Sequence, residues 1–200
     1  MRDDFLAFLK SRRSLRRYTS APIPRPVLER VLTAGIWSPS AHNRQPWRFV
    51  VLEDANTRHA LASAMGARLR ADLEADSVPK DVIAADVARS YERMTLAPCL
   101  LLLCLTMADM DSYPDPRRNA HERVMAIQSV AMAGQNMLLM AHAEGLGACW
   151  MCAPLFCPDV VRDVLGLPAD WEAQGMIALG YPAQTREKNR EGLEKRALWR

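Results

Sequence analysis

The chain lacks the signatures of the common nucleotide and metal chemistries. There is no Gly-x-x-x-x-Gly-Lys loop, and Gly145-Leu146-Gly147 follows a helical stretch without the third glycine of a dinucleotide fingerprint. A phosphate loop and a Rossmann unit are thereby excluded. Charge is nearly balanced, with 26 basic against 23 acidic residues and a net +3, too mild for a nucleic-acid protein. The opening Met1-Arg2-Asp3-Asp4 begins an amphipathic segment rather than the apolar core of an export signal. The run Leu96–Ala108 is too short for a bilayer. Val124–Ala143 is long enough and uncharged, but Gln128, Ser129, Gln135, Asn136 and His142 interrupt it, which predicts a buried central helix. The five cysteines, Cys99, Cys104, Cys149, Cys152 and Cys157, are an odd number in a chain without an export signal. Structural disulfides are not expected, and the natural home is a reducing cytoplasm. The four histidines show no metal-ligand spacing, so no metal is expected.

Two hundred residues fit one domain, 1–200, with a core large enough to need neither metals nor disulfides. Phe5, Leu6 and Leu9 mark one face of a first helix ending near Ser11. A second helix, started by Pro26, runs to about Ile36 with Val27, Leu28, Val31, Leu32 and Ile36 at helical spacing. A polar loop leads into a strand over 47–53. Residues 55–75 and 79–94 read as charged helices that cover other structure, and Leu100–Leu105 as a central strand. A turn-rich segment, 109–118, precedes a long helix over about 119–144, stopped by Gly145. A strand over 148–152, a short helix over 158–165 and a strand over 174–179 follow. Strands and helices do not alternate as βαβ units would, so the class is α+β. The last twenty residues form a polar arm with no core pattern of their own. That arm, about 181–200, predicts a homodimer whose arms wrap the partner.

Chemistry concentrates in the first fifty residues. Arg12-Arg13-Ser14-Leu15-Arg16-Arg17 sets four guanidiniums around a hydroxyl, and the donor fork of arginine matches phosphate oxygens. Taken alone, such a run is most often a solvated face or a nucleic-acid patch. About two dozen positions on, Ser38-Pro39-Ser40-Ala41-His42-Asn43-Arg44-Gln45-Pro46-Trp47 is uncharged except for Arg44 and suits the polar edge of a flat heterocycle. Taken alone, it is an ordinary loop. Together they point to a phosphorylated ring cofactor such as flavin mononucleotide. In the arm, Lys188 and Arg190 are further phosphate donors or a solvated tail. The turn Cys152-Ala153-Pro154-Leu155 offers main-chain donors for a flavin's reactive edge, although Pro154 itself has no N–H.

Cys149-Trp150-Met151-Cys152, with Cys157 beyond, is the competing constellation, as a redox dithiol or a metal or iron–sulfur ligand set. This pair lies in an apolar strand instead of at a helix start, and strand alternation separates its side chains. Small buried hydrophobes are the better reading. Among the histidines, His59 reads as solvated and His142 as a core or interface group. His121, near Asp115 and Glu122, reads as lining a pocket or as helix surface. His42 sits in the polar loop and, with Tyr113, is a candidate to meet a substrate.

The arginine motif, the Pro39-Ser40…Asn43 loop, and Gly145-Leu146-Gly147 after a long helix resemble the nitroreductase family across nearly the whole chain. The resemblance implies a mostly antiparallel sheet packed with helices and FMN bound at the interface of an intertwined homodimer. It implies that Arg12, Arg13, Ser14 and Arg16 hold the phosphate and ribityl chain, with Lys188 and Arg190 closing on the phosphate. Pro39, Ser40, Ala41, Asn43 and Gln45 would contact the ring across the subunit interface, and Ala153, Pro154 and Leu155 would form the strand-end turn. The cofactor carries the redox chemistry, so no catalytic side chain is named, and any NAD(P)H binds transiently. Ser112-Tyr113-Pro114-Asp115, Gly147-Ala148-Cys149-Trp150 and Leu167-Pro168-Ala169-Asp170-Trp171-Glu172 are similar to the nitroreductase-like domain joined to the γ-glutamyl ligase of deazaflavin coenzyme biosynthesis. That similarity implies reduction of a dehydro precursor of the coenzyme. A non-catalytic flavin- or deazaflavin-binding module and a cysteine-ligated metal protein are the competing classes.

Overall fold

A computed structural model describes residues 2–200. Four strands, β1 (Trp47–Leu52), β2 (Cys99–Leu105), β3 (Gly147–Met151) and β4 (Glu172–Gly180), form one sheet in the order β1-β2-β4-β3. Every pairing is antiparallel. The all-apolar run of β2 is the reason it lies inside: both of its faces are covered, and all seven residues are buried. Leu101, Leu103 and Leu105 face α2 (Arg25–Ile36) and α5 (Pro116–Ala143). Leu100, Leu102 and Cys104 face α3 (Ala55–Ala75) and α6 (Pro158–Leu165), with Met94 of α4 (Lys80–Thr95) in the same core. The sheet thus divides two apolar cores, as an α+β layered fold requires.

The helix boundaries follow local chemistry. α5 begins three residues earlier than its apolar pattern suggests. Asp115 caps it by accepting from the Arg118 N–H at 2.9 Å, and Pro116 takes the first turn, where an N–H has no partner in any case. Residues that read as turn formers are therefore the helix start. α5 is long and apolar enough to cross a membrane by length and composition, yet it buries Ala126, Ser129, Val130, Ala133, Met137 and Ala141 inside the fold. β4 runs two residues earlier than expected because Gln174 is accommodated as a bulge opposite Leu103 and Cys104.

Among the described residues, the first helix, α5 and the arm all leave apolar side chains uncovered in the single chain. The first helix, α1 (Arg2–Ser11), buries none of its residues, and Phe5, Leu6 and Leu9 are exposed. Val124, Ile127 and Met132 form an exposed stripe on α5, and Leu193, Leu198 and Trp199 are exposed along the arm.

Trp150 locks β3 to the rest of the fold. Its ring fills the space left by two glycines: a Cβ on Gly134 of α5 would lie 2.3 Å from Trp150 Cζ3, and one on Gly175 of β4 would lie 2.4 Å from Cζ2. Clamped between helix and sheet, the ring cannot yield to either side. Gly134→Ala should therefore destabilise by about 1–3 kcal/mol despite a helix-propensity gain of about 1 kcal/mol. Urea unfolding checks this, and the loss should shrink when Trp150→Ala opens the space. An unchanged midpoint for Gly134→Ala alone would refute the clamp.

Candidate active site

The basic segment after α1 is held in place by backbone pairing. Leu15 N–H donates to the Ala148 carbonyl at 3.0 Å, and Ser14 forms a parallel bridge with Ala148 at the start of β3. Thr19 N–H donates to the Tyr181 carbonyl at 2.9 Å, and Ala183 N–H to the Arg17 carbonyl at 3.0 Å. These ties stitch the root of the arm to the arginine run. The consequence is a pocket of about 150 Å³ lined by Arg13, Ser14, Arg16, Arg186, Lys188 and Arg190.

No carboxylate lines that pocket. Arg12 Nη1 and Arg13 Nε are buried without a hydrogen-bond partner. Burial, with the charges of Arg190 and Arg13, holds the Arg12 guanidinium below its ordinary range. Cations crowded together, with two buried N–H donors that lack acceptors, are the arrangement an anionic group would complete, because a phosphate supplies both acceptors and compensating charge. The same field, added to burial, lowers His142, whose Nε2 lies 2.7 Å from Ser11 Oγ beside Phe8. Lys188 and Arg190 thus sit with Arg13, Ser14 and Arg16, and Arg190 is close enough to depress Arg12. Arg186, not singled out from the sequence, belongs to the same cluster. The reason it escaped notice is that the arm carries no periodic pattern.

The polar loop lies elsewhere. Residues 41–43 form a 3-10 turn in which His42 and Asn43 take φ of 50° and 54°, and Gln45 follows at 51°. Three non-glycine residues in the left-handed region are costly, and such strain gathers at functional sites. It is sustained by Ala41 N–H donating to Ser129 Oγ at 3.3 Å, Gln45 N–H donating to Ser40 Oγ at 3.1 Å, and an Arg44–Asp111 ion pair. His42, Asn43 and Gln45 are exposed, with Pro39 exposed just before them.

Within one chain the loop and the basic pocket do not meet. The loop touches α5 at Ser129, whereas the arginine segment meets it at His142, thirteen residues along, or about 20 Å of helix. Tyr113 lies at the loop's end of the molecule, fixed by Asn119 on both its N–H and carbonyl, with Arg118 over its ring at 4.6 Å. The 153–156 turn follows the far end of β3 from Ala148, and its Leu155 N–H donates to the Cys152 carbonyl at 3.0 Å. Pro154 is buried, while Leu155 and Phe156 are exposed. His121 and His59 are exposed, His59 against Tyr91 at 5.9 Å between ring centroids.

The cysteines divide as strand alternation requires. Cys149 is buried and Cys152 exposed, its sulfur accepting from Trp150 Nε1 at 3.0 Å. Burial pushes the Cys149 and Cys157 thiols up and takes Cys99 and Cys104 to about 12. Thiols disfavoured as thiolates are poor ligands and nucleophiles.

The chain is thus a two-core α+β layer structure with a basic pocket beside an edge strand. The sequence pattern of the nitroreductase family matches residues 9–181. An NADH dehydrogenase of Thermus thermophilus is 32% identical, covering 94% of this chain and 92% of its own. The structure is similar to that of a protein assigned as a nitroreductase from Desulfovibrio desulfuricans, crystallised in complex with FMN. That similarity has a TM-score of 0.75 at 28% identity and covers 98% and 95% of the two chains. A BluB-like flavoprotein from Clostridium difficile shares the fold at TM-score 0.82 and 21% identity, covering 98% of each chain. The chain belongs to the nitroreductase family and is a flavin-dependent oxidoreductase.

In the native protein at pH 8, only Cys152 should react rapidly with iodoacetamide, leaving Cys99, Cys104, Cys149 and Cys157 unlabelled until denaturant is added. Mass spectrometry reads the sites, and rapid labelling of several thiols would contradict the packing of β2 and β3.

Proposed function

We propose that this oxidoreductase uses FMN to pass reducing equivalents from NAD(P)H to a flat, electron-poor acceptor. The observation that carries the reading is the basic pocket, together with the buried Arg12 Nη1 and Arg13 Nε, which lack acceptors. Arg12, Arg13, Ser14, Arg16, Lys188 and Arg190 would hold the phosphate end. When bound, FMN supplies hydride or single-electron transfer. The chain's own contribution is binding, orientation and exclusion of water. The loop Pro39, Ser40, Ala41, Asn43 and Gln45 offers a strained, preformed polar edge to the ring, and the turn at Ala153–Leu155 closes the opposite side. His42 and Tyr113 stand where an acceptor would enter.

The working unit is a homodimer with two such sites. One chain leaves its polar loop about 20 Å of helix from its own phosphate pocket, so a second copy must supply the loop. The uncovered faces of α1, α5 and the arm are the surfaces that would bury in that assembly. The five free thiols suit a reducing cytoplasm.

For the acceptor, a dehydro precursor of a deazaflavin coenzyme is the specific candidate, carried by the three segments similar to the ligase-linked domain. Several of their residues have structural duties here. Asp115 caps α5, Asp170 accepts from Thr106 Oγ1 at 2.7 Å, Glu172 pairs with Arg123, and Trp150 fills the glycine clamp. Tyr113 is the segment's residue placed to meet a ligand.

Arg12→Ala combined with Arg16→Ala removes two charge-assisted contacts of about 1.5–3 kcal/mol each, so FMN should bind at least a hundredfold more weakly while the fold survives. Fluorescence titration of the flavin-free protein measures this, with circular dichroism for the fold. A double variant that stays fully yellow through desalting would overturn the phosphate assignment.

A further inference from the structure

We propose that His42, Asp111 and Glu122 form a binding site for one divalent transition-metal cation of the Zn²⁺ class. A ring nitrogen of His42 and one carboxylate oxygen each from Asp111 and Glu122 lie within 4.8 Å of one another. Ligands about 2.0–2.2 Å from a tetrahedral zinc stand about 3.3–3.6 Å apart, so rotations of the three side chains would bring all three donors to bonding distance. The ligands come from three separate segments: the strained polar loop, the stretch before α5, and the first turns of α5. That is why spacing along the chain gives no hint of them.

Glu122 carries the argument. It is 2% exposed, and its Oε2 is buried without a hydrogen-bond partner. It stands on the inward face of α5 with Ala126, Ser129 and Val130, where a carboxylate is costly unless something compensates its charge. Three arginines of this region are already paired: Arg118 with Asp115, Arg123 with Glu172, and Arg44 with Oδ1 of Asp111. Arg44 offsets one carboxylate, which leaves the second oxygen of Asp111 and the buried Glu122 Oε2 to a cation. His42 is turned toward the pair by a backbone with φ of 50°. An imidazole with two carboxylates suits Zn²⁺, Mn²⁺ or Fe²⁺ better than Ca²⁺ or Mg²⁺, which prefer oxygen alone. Three protein ligands leave a coordination position open to water or to an acceptor's oxygen. A bound cation ties the 40–45 loop to α5 and so holds in place the edge offered to the ring. None of its ligands lies in the basic pocket, and zinc binding is read without flavin, so its failure and that of the flavin reading are distinguishable.

The test is titration of the chelator-treated, full-length protein with ZnCl₂, followed by isothermal calorimetry and thermal unfolding. One zinc per chain should bind and raise Tm, and Ca²⁺ should do neither. Glu122→Gln, which keeps the size of the side chain, and His42→Ala should each weaken binding at least tenfold, while Cys152→Ser should leave it unchanged. X-ray absorption of the zinc-loaded wild-type protein needs no variant, and it should show nitrogen and oxygen neighbours including imidazole, with no sulfur. The site is overturned if millimolar zinc does not bind, if sulfur appears in the shell, or if both Glu122→Gln and His42→Ala bind as tightly as wild type.

Discussion

Positive charge without a counter-charge inside the chain is the constraint around which this molecule is arranged. Arginines on the segment after α1 would ordinarily spread into water or find carboxylates, as Arg30, Arg68 and Arg123 do. Here the backbone holds them together instead. Leu15 is tied to Ala148 and Ala183 to Arg17, so Arg13, Arg16, Arg186, Lys188 and Arg190 line one small volume. Their mutual repulsion and the desolvation of Arg12 are tolerated because the sheet edge and the arm root fix the backbone independently. A folded protein that carries such a cost holds a ready-made site for an anion.

The long helix α5 gives the second constraint. It touches both the polar loop, through Ser129, and the start of the basic segment, through the His142 contact with Ser11. A rigid helix sets the distance between the polar loop and the basic segment and keeps them apart within one chain. The same helix presents an inward carboxylate beneath the strained loop and an outward apolar stripe to a neighbour. Strain in the loop, an orphaned carboxylate under it and an uncovered helix face are three local departures from comfortable packing. They cluster where function is expected to reside.

The element order was largely readable from the chain. The apolar run of β2, the helical spacing in α2 and the glycine after α5 left little choice about element type, and the cysteine alternation in β3 followed from strand geometry. The start of α5 was not readable, since Asp115-Pro116 serves equally as turn and as helix cap until the Arg118 N–H is seen to be captured. Lys188 and Arg190 were readable as basic residues, but nothing local distinguished a tail from a pocket wall. Arg186 had no signal at all. Glu122 did have one. It shares the helical register of Ala126, Val130 and Ala133, which marks a carboxylate on a buried face.

Local chemistry thus determined which segments are helix, which are strand and which carry phosphate-fitting or ring-fitting donors, because propensity, periodicity and donor geometry act over a few residues. Only the tertiary structure decided which of those donors meet. Backbone pairing brought residues 14 and 148, and 17 and 183, side by side across more than a hundred positions. A stiff helix held the polar loop away from the arginines. Proximity of that kind is set by long-range packing, to which no window along the chain is sensitive.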